Sequence, residues 1–516
     1  MEPTKSSALQ NHRAQLLNAL PWADGLVSSL ERDGFSITHI RRRTDFAWFV
    51  RVCPSPTIQH RFGLAPEVLL LLTRNEVQAK DLQAAYDEII VSGLRLDANL
   101  LIVSDDGKAP LEARLDKLRG PHGFRLAYSQ TPAGWPPLVE RLGDKLPMFP
   151  VFEDRDPVRG TQLIGRSPEV TELRTRVARG DAVALLGLRK MGKTSVMRAV
   201  TDALDPASGL GLGASVATTG PQVALVVDAG TILERTGDGL ADELLRALRR
   251  RSTAAGEPEM VHPNDRGLAG FKRAGERLID AQRTLCLVID EYDLLFEGTD
   301  GDEQPFADLG RFFRLVRGWA QTYQGAVSMV LVGRDPEYLG RPRLDGVTSP
   351  LLAWCTPMWL GPLTQVRAPE ILRKLGRRVG LEVGPDSARV AYEWTGGHPL
   401  LHRQYGAALQ QLAQASSTTW PVATDAYAEA CLSAYRERDA VLDVLREVVD
   451  LLAKRYPGAL QRLTSLATGI GDSRPADGTE RMLERFGLVS ETGRLPRSVA
   501  WYLQTLAPAG RVLRAV

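Results

Sequence analysis

Residues 181–195 read Asp-Ala-Val-Ala-Leu-Leu-Gly-Leu-Arg-Lys-Met-Gly-Lys-Thr-Ser, an apolar run that ends in the pattern G-x-x-x-x-G-K-[ST]. The run Asp181 to Gly187 predicts a buried strand, and Thr194 to Leu204 predicts a helix. A loop strung between such elements presents the backbone N–H groups of Gly187, Lys190, Met191, Gly192 and Ser195 to an anion, and the helix dipole favours negative charge at the same place. In this geometry Lys193 reaches the β- and γ-phosphates of a nucleotide, and the Thr194 hydroxyl ligates Mg²⁺. Gly192 keeps side-chain bulk away from the phosphate chain.

A second signal lies far along the chain. In Leu285-Cys-Leu-Val-Ile-Asp-Glu-Tyr-Asp293 an apolar strand ends in Asp290 and Glu291. Asp290 is placed to hold Mg²⁺ through water, and Glu291 to polarise an attacking water as general base. Asp293 either caps a helix or makes a second acidic contact.

The whole chain sets the limits. Its 516 residues suggest roughly three domains. With 64 basic and 62 acidic side chains, a net charge of +2 argues against a dedicated polyanion binder. Four scattered cysteines without a C-x-x-C pair suit a reducing compartment and neither a disulfide framework nor a zinc site. The start, Met1-Glu2-Pro3-Thr4-Lys5, lacks the pattern of a signal peptide, and no apolar run reaches the ~18 residues that a membrane span requires. A cytoplasmic protein without membrane contact is expected.

Residues 1–130 alternate strand-like stretches (Asp45 to Val52, Glu67 to Thr73, Asn99 to Asp105) with helical ones, predicting a small α/β domain. Residues 131–160 read as a linker rich in Pro, Gly and charge. Residues 161–364 predict an α/β domain with a parallel sheet, whose strands include Gln222 to Gly230, Ala326 to Asp335 and Thr356 to Leu363. Within it, 207–220 form a Gly/Ser/Thr-rich connection. Residues 365–436 read as a helical lid. Residues 437–516 read as two or three helices followed by Leu488 to Leu503, an apolar strand, a Gly turn and a second edge: the outline of a winged helix.

The order Ile164-Gly165-Arg166, the phosphate loop, "LVIDEYD", "LVGRDPEYL", "LGPLT", "TGGHPLL" and winged helix resembles the STAND branch of the AAA+-related P-loop ATPases. It is most similar to small prokaryotic members whose loops read G-x-R-x-x-G-K-T-S. The resemblance covers Leu163 to Leu506, about two thirds of the chain. It implies a P-loop ATPase sheet with lid and winged helix, ATP or ADP with Mg²⁺ as cofactors, and base contacts from Ile164, Gly165 and Arg166. It also places the turn at His398 and Pro399 against the nucleotide, where His398 either reports nucleotide state or is merely a residue at a helix start. Arg334, where the family usually has a small polar residue, either touches the γ-phosphate or pairs with a carboxylate. Arg341 and Arg343 are candidates for an arginine finger or are simply solvated.

The N-terminal layout resembles restriction-endonuclease-like domains of the Mrr type, but Glu67 to Asn75 lacks their acidic and Glu/Gln-x-Lys pair, so a degenerate domain kept for contacts is expected. In the last segment Arg481, Arg485, Arg494 and Arg497 alternate with Glu480, Glu484 and Glu491, giving little net field for phosphates. The preferred function is a slow ATPase switch: nucleotide exchange opens the chain and permits self- or partner-association in signalling or antiphage defence. The alternative is a DNA-associated ATPase of the origin-recognition or transposition-helper kind. The family often ends in ligand-sensing repeats. None follows Leu506, so sensing is expected in the N-terminal domain, the winged helix or another protein.

Overall fold

The computed structural model describes residues 5–92, 95–106, 110–118, 124–153, 157–158, 163–205, 222–255, 260–296, 304–334, 336–417, 421–469, 478–490 and 493–506. The Gly/Ser/Thr-rich connection at 207–220 and the helix end expected at Gly120 lie outside them. The chain divides into two compact units. One comprises Met1–Ile164, Gln365–Tyr392 and His402–Arg438; the other comprises Gly165–Thr364, Glu393–Leu401 and Asp439–Val516.

The first unit holds a five-stranded sheet in simple order: β1 (Phe35–Arg42), β2 (Ala47–Pro54), β3 (Glu67–Thr73), β4 (Leu96–Asp105) and β5 (Phe124–Ala127). The first two junctions are antiparallel, the last two parallel. Every residue of β3 is buried, because the sheet is covered on both faces. Val68, Leu70 and Leu72 point into a core shared with helices Lys5–Ala19, Ala23–Arg32 and Leu138–Lys145. Leu69 and Leu71, one step out of phase, pack with Leu82, Ala85 and Ile89 of helix Ala79–Ser92. The stretch read as a linker thus contains a helix, and its Leu138 and Leu142 are fully buried.

Most of the segment read as a lid belongs to this unit. Arg378, on helix Ala368–Arg378, donates from Nη2 to Asp97 Oδ2 (2.7 Å) and from Nε to the Gly63 carbonyl (3.1 Å). Gly63 sits at φ +59, and a Cβ there would lie 2.6 Å from the Lys374 carbonyl oxygen, so only glycine fits. Gln410 donates to the carbonyls of Pro147 and Phe149, 2.9 Å each.

The second unit is built on β6 (Ala182–Leu186), β7 (Gln222–Asp228), β8 (Thr284–Asp290), β9 (Val327–Gly333), a short ribbon of β10 (Arg343–Leu344) and β11 (Val347–Thr348), and β12 (Cys355–Trp359). The main sheet runs β12-β6-β9-β8-β7 with every junction parallel. Helices Gly237–Ala255, Gly267–Asp280 and Leu309–Thr322 share one core with its strands.

Four helices, Asp439–Arg455, Pro457–Thr468, Thr479–Phe486 and Arg497–Leu506, make up the C-terminal part of the unit. The strand pair expected there is not formed among the described residues. The Ser490 N–H donates to the Arg494 carbonyl (2.9 Å), and Arg497–Leu506 is a helix burying Val499 and Leu503 on one side. Pro496 precedes that helix, and the Ser498 hydroxyl bonds the Trp394 carbonyl (2.6 Å). Spacing by four, too short a run to read with assurance, outweighed the β-leaning Val and Trp.

Candidate nucleotide site

The site lies at the carboxyl edge of the second sheet, where the strand order reverses around β6. Open parallel sheets bind ligands at such a point. The segments that follow the neighbouring strands β6, β9 and β12 pack tightly here. The Gly187 N–H donates to the Gly333 carbonyl (3.3 Å), and a Cβ on Gly187 would lie 2.5 Å from the Leu360 carbonyl oxygen. The loop then turns through Lys190 (φ +60) and Gly192 (φ +92) into helix Lys193–Leu204. A Cβ on Gly192 would meet nothing within 4 Å, so the space before the helix N-terminus is open. Met191 and Ser195 are buried.

Lys193 Nζ donates to the carbonyls of Gly187 and Leu188, 2.8 Å each. Burial lowers its pKa to about 8, against the opposing pull of Asp293 and Asp290. The Thr194 hydroxyl donates to Asp290 Oδ2 at 2.9 Å, across 96 residues of sequence. The other Asp290 oxygen accepts the Glu291 N–H at 3.0 Å. Burial raises the Asp290 carboxyl above the ordinary range, and burial with the charges of Asp228 and Asp290 does the same for Glu291. Glu291 is exposed and sits at φ +52, with Asp293 buried behind it. Arg334 follows β9: its N–H donates to Asp293 Oδ2 (2.8 Å) and its Nε lies 4.0 Å from the same oxygen.

A phosphate loop leaving β6, the second strand of the parallel order β12-β6-β9-β8-β7, its threonine bonded to the aspartate that ends β8, the next strand but one, decides the fold. This is the P-loop nucleotide-binding fold. No family model matches the sequence, and no curated relative does either. Among solved structures, this P-loop chain is similar to the Walker-type ATPase PABY2304 of Pyrococcus abyssi (18% identity over 69% of this chain and 99% of that one, TM-score 0.47). It is also similar to the ORC1 protein of Aeropyrum pernix in complex with DNA (18%, 71% and 97%, TM-score 0.35). A third is a Signal Transduction ATPase with Numerous Domains (STAND) protein with a tetratricopeptide repeat sensor from Pyrococcus horikoshii (13%, 70% and 45%, TM-score 0.30).

The remaining residues fall into two groups. His398 is buried at the P-loop: its Nδ1 accepts the Leu401 N–H (3.4 Å), leaving Nε2 to donate to the Arg189 carbonyl (3.2 Å). Both nitrogens are served by the neutral ring, and burial pushes the pKa down to about 4. Pro399 begins the helix Pro399–Ser416 beside it. Arg166 is buried, its Nη2 donating to the carbonyls of Met191 (3.0 Å) and Gly361 (2.7 Å), with Glu169 3.2 Å from Nη1. Its guanidinium braces the loop. Gly165 precedes it at φ +79, and Ile164 is buried at the end of the other unit. Arg341 stacks on the Tyr338 ring at 4.4 Å, and Arg343 begins β10.

Two participants went unread in the sequence. Asp228 ends β7 in register with Asp290 and acts on both Asp290 and Glu291. Its signal was available, since "LVVD" repeats the pattern of "LVID". Arg189 pairs with Glu447 of helix Asp439–Arg455 at 2.7 Å, a pairing that no local pattern announces. Asp293, read as a cap or a second acidic contact, holds Arg334, for which a carboxylate partner was one of two expectations.

Proposed function

We propose that the chain is an ATP-binding and slowly hydrolysing molecular switch of the STAND type, in which nucleotide exchange governs self- or partner-association. The observation that carries it is the bond between Thr194 and Asp290, which joins the phosphate loop to the acidic strand end in one pocket. The residues fit the cofactor: an open glycine cradle, an ammonium at its rim, and a hydroxyl and a carboxylate already oriented toward each other. No cluster of three or more His, Cys, Asp or Glu able to hold a metal occurs among the described residues. A cation here would therefore rely on Thr194, Asp290 and phosphate oxygens, as Mg²⁺ in nucleotide sites does.

When bound, Mg²⁺·ATP supplies the electrophilic phosphorus and neutralises charge on its oxygens. Lys193 exchanges its two carbonyl partners for β- and γ-oxygens. Thr194 and Asp290 orient the cation, Glu291 accepts the proton of the attacking water, and Arg334 contacts the terminal phosphate. The amides of Lys190, Met191, Gly192 and Ser195 line the loop; that of Gly187, expected to join them, is taken by the Gly333 carbonyl. Gly165 supplies the contact on the base side, and His398 with Pro399 closes the loop from the opposite flank.

Calorimetry with ADP and ATP, followed by mass measurement with ADP and with a slowly hydrolysed ATP analogue, tests the reading. Binding with a nucleotide-dependent change of mass is expected; equal masses would remove the switch. Duplex DNA binding that falls steeply with rising salt would favour the DNA-associated reading instead.

A further inference from the structure

The turn after β8 has an unusual shape. Glu291, in the left-handed region, reverses the chain, and the short turn Tyr292–Leu295 drives Tyr292 and Asp293 inward, leaving them 0% and 3% exposed. There they press on the end of β9. A Cβ on Gly333 would lie 2.3 Å from the Tyr292 ring and 2.5 Å from Asp293 Oδ2, so no side chain fits at that position. The next residue, Arg334, gives its N–H to that same carboxylate oxygen at 2.8 Å, and its Nε stands 4.0 Å away. Gly333 also accepts the Gly187 N–H, so the tie reaches the first residue of the phosphate loop.

A buried carboxylate is costly unless it is bonded and its charge met. Asp293 meets part of that cost through Arg334, by its backbone N–H and by its guanidinium charge, and part through the charge of Lys193. The Arg334 side chain nonetheless remains 37% exposed, so it is anchored at its base and free to turn at its tip. Its charge acts on both Lys193 and Glu291, side chains of the same site.

We propose that Asp293 is a positioning residue that sets Arg334 to read the terminal phosphate. This rests on the nucleotide site proposed above. Asp293 itself does not touch nucleotide. It fixes where the Arg334 side chain starts and holds the guanidinium beside the pocket, which lowers the ordering cost of its contact with a γ-phosphate.

The test compares Asp293→Asn, Asp293→Ala, Arg334→Ala and the double variant Asp293→Ala/Arg334→Ala, each checked for thermal unfolding. Readouts are the Kd for ADP, the Kd for a slowly hydrolysed ATP analogue, and single-turnover hydrolysis. Arg334→Ala is expected to slow hydrolysis about a hundredfold and weaken the ATP analogue relative to ADP about tenfold. Asp293→Ala should slow hydrolysis about tenfold, leave ADP within about twofold, and add nothing in the Arg334→Ala background. Asp293→Asn, which keeps an acceptor for the N–H but loses the charge, should fall between the parent and Asp293→Ala. It carries the test if the alanine variant does not fold. Losses that multiply in the double variant, or ADP affinity falling as far as that of the ATP analogue, overturn the inference while leaving the site intact. A parent protein that binds no ADP overturns both.

Discussion

Two strands of this molecule end almost alike. In the first unit β4 runs Leu-Leu-Ile-Val-Ser to Asp105 and Asp106; in the second, β8 runs Leu-Cys-Leu-Val-Ile to Asp290 and Glu291. Both strands are parallel members of covered sheets, and both aspartates lie at a carboxyl edge. Their partners differ. Arg114 Nη2 holds both oxygens of Asp105, at 2.8 and 2.9 Å, and the Val77 N–H adds a third bond at 3.0 Å. Asp290 has the neutral Thr194 hydroxyl and a backbone N–H, and among the described residues no cation bridges it. A carboxylate matched to a fixed guanidinium is spent on structure. One held by neutral donors keeps its charge for a cation that arrives later. An apolar strand ending in an acid is therefore no functional signal until its partner is known.

The predictions probe that contrast. Glu291→Gln should lower hydrolysis about a thousandfold while ATP still binds, measured by single-turnover kinetics and calorimetry; unchanged turnover would remove Glu291 from the chemistry. Lys193→Ala should weaken ADP about a hundredfold, whereas Arg114→Ala should leave ADP affinity as it was. The reverse result would exchange the roles of the two edges.

His398 sharpens the contrast through acid. Its folded pKa of about 4 lies below the ordinary 6.5, so the unfolded chain binds the proton first. The stability it contributes is complete above pH 6.5 and is lost as pH falls toward 4, by about 3 kcal/mol. Denaturant titrations of His398→Gln should show a flatter pH slope over that window. Asp105→Ala should cost about 2 kcal/mol of stability and leave nucleotide binding unchanged. Lys193 gives the smallest effect. In the proposed site only its ammonium would bridge phosphate oxygens, and with a pKa of about 8 that proton is lost as pH rises. ADP affinity should fall about fivefold between pH 8 and 9. A flat profile would mean that the lysine stays charged throughout.

Much of the site was legible because its parts are local. The buried strand β6, the glycine loop and the helix after it are contiguous, and β8 carries its acids at its own end. Helix Leu138–Lys145 was hidden because prolines and glycines flank a stretch of only eight residues. Arg497–Leu506 has too few turns for its period to overcome the β-leaning Val499 and Trp501. Asp97 gives no hint that a helix 281 residues later will send it Arg378. The allegiance of the supposed lid segment to the first unit was therefore unreadable.

By itself the sequence determined that β6 and β8 are buried and that the chain turns sharply between β6 and the helix after it, because apolar runs and glycines act through their immediate neighbours. It also determined that an ammonium and a hydroxyl stand at one helix start. Only the tertiary structure decided which charges meet: that Asp290 finds Thr194 while Asp105 finds Arg114, that Asp293 holds Arg334, and that His398 stays neutral against the loop. Coulomb and hydrogen-bond energies depend on distance in space, and distance along the chain does not report it.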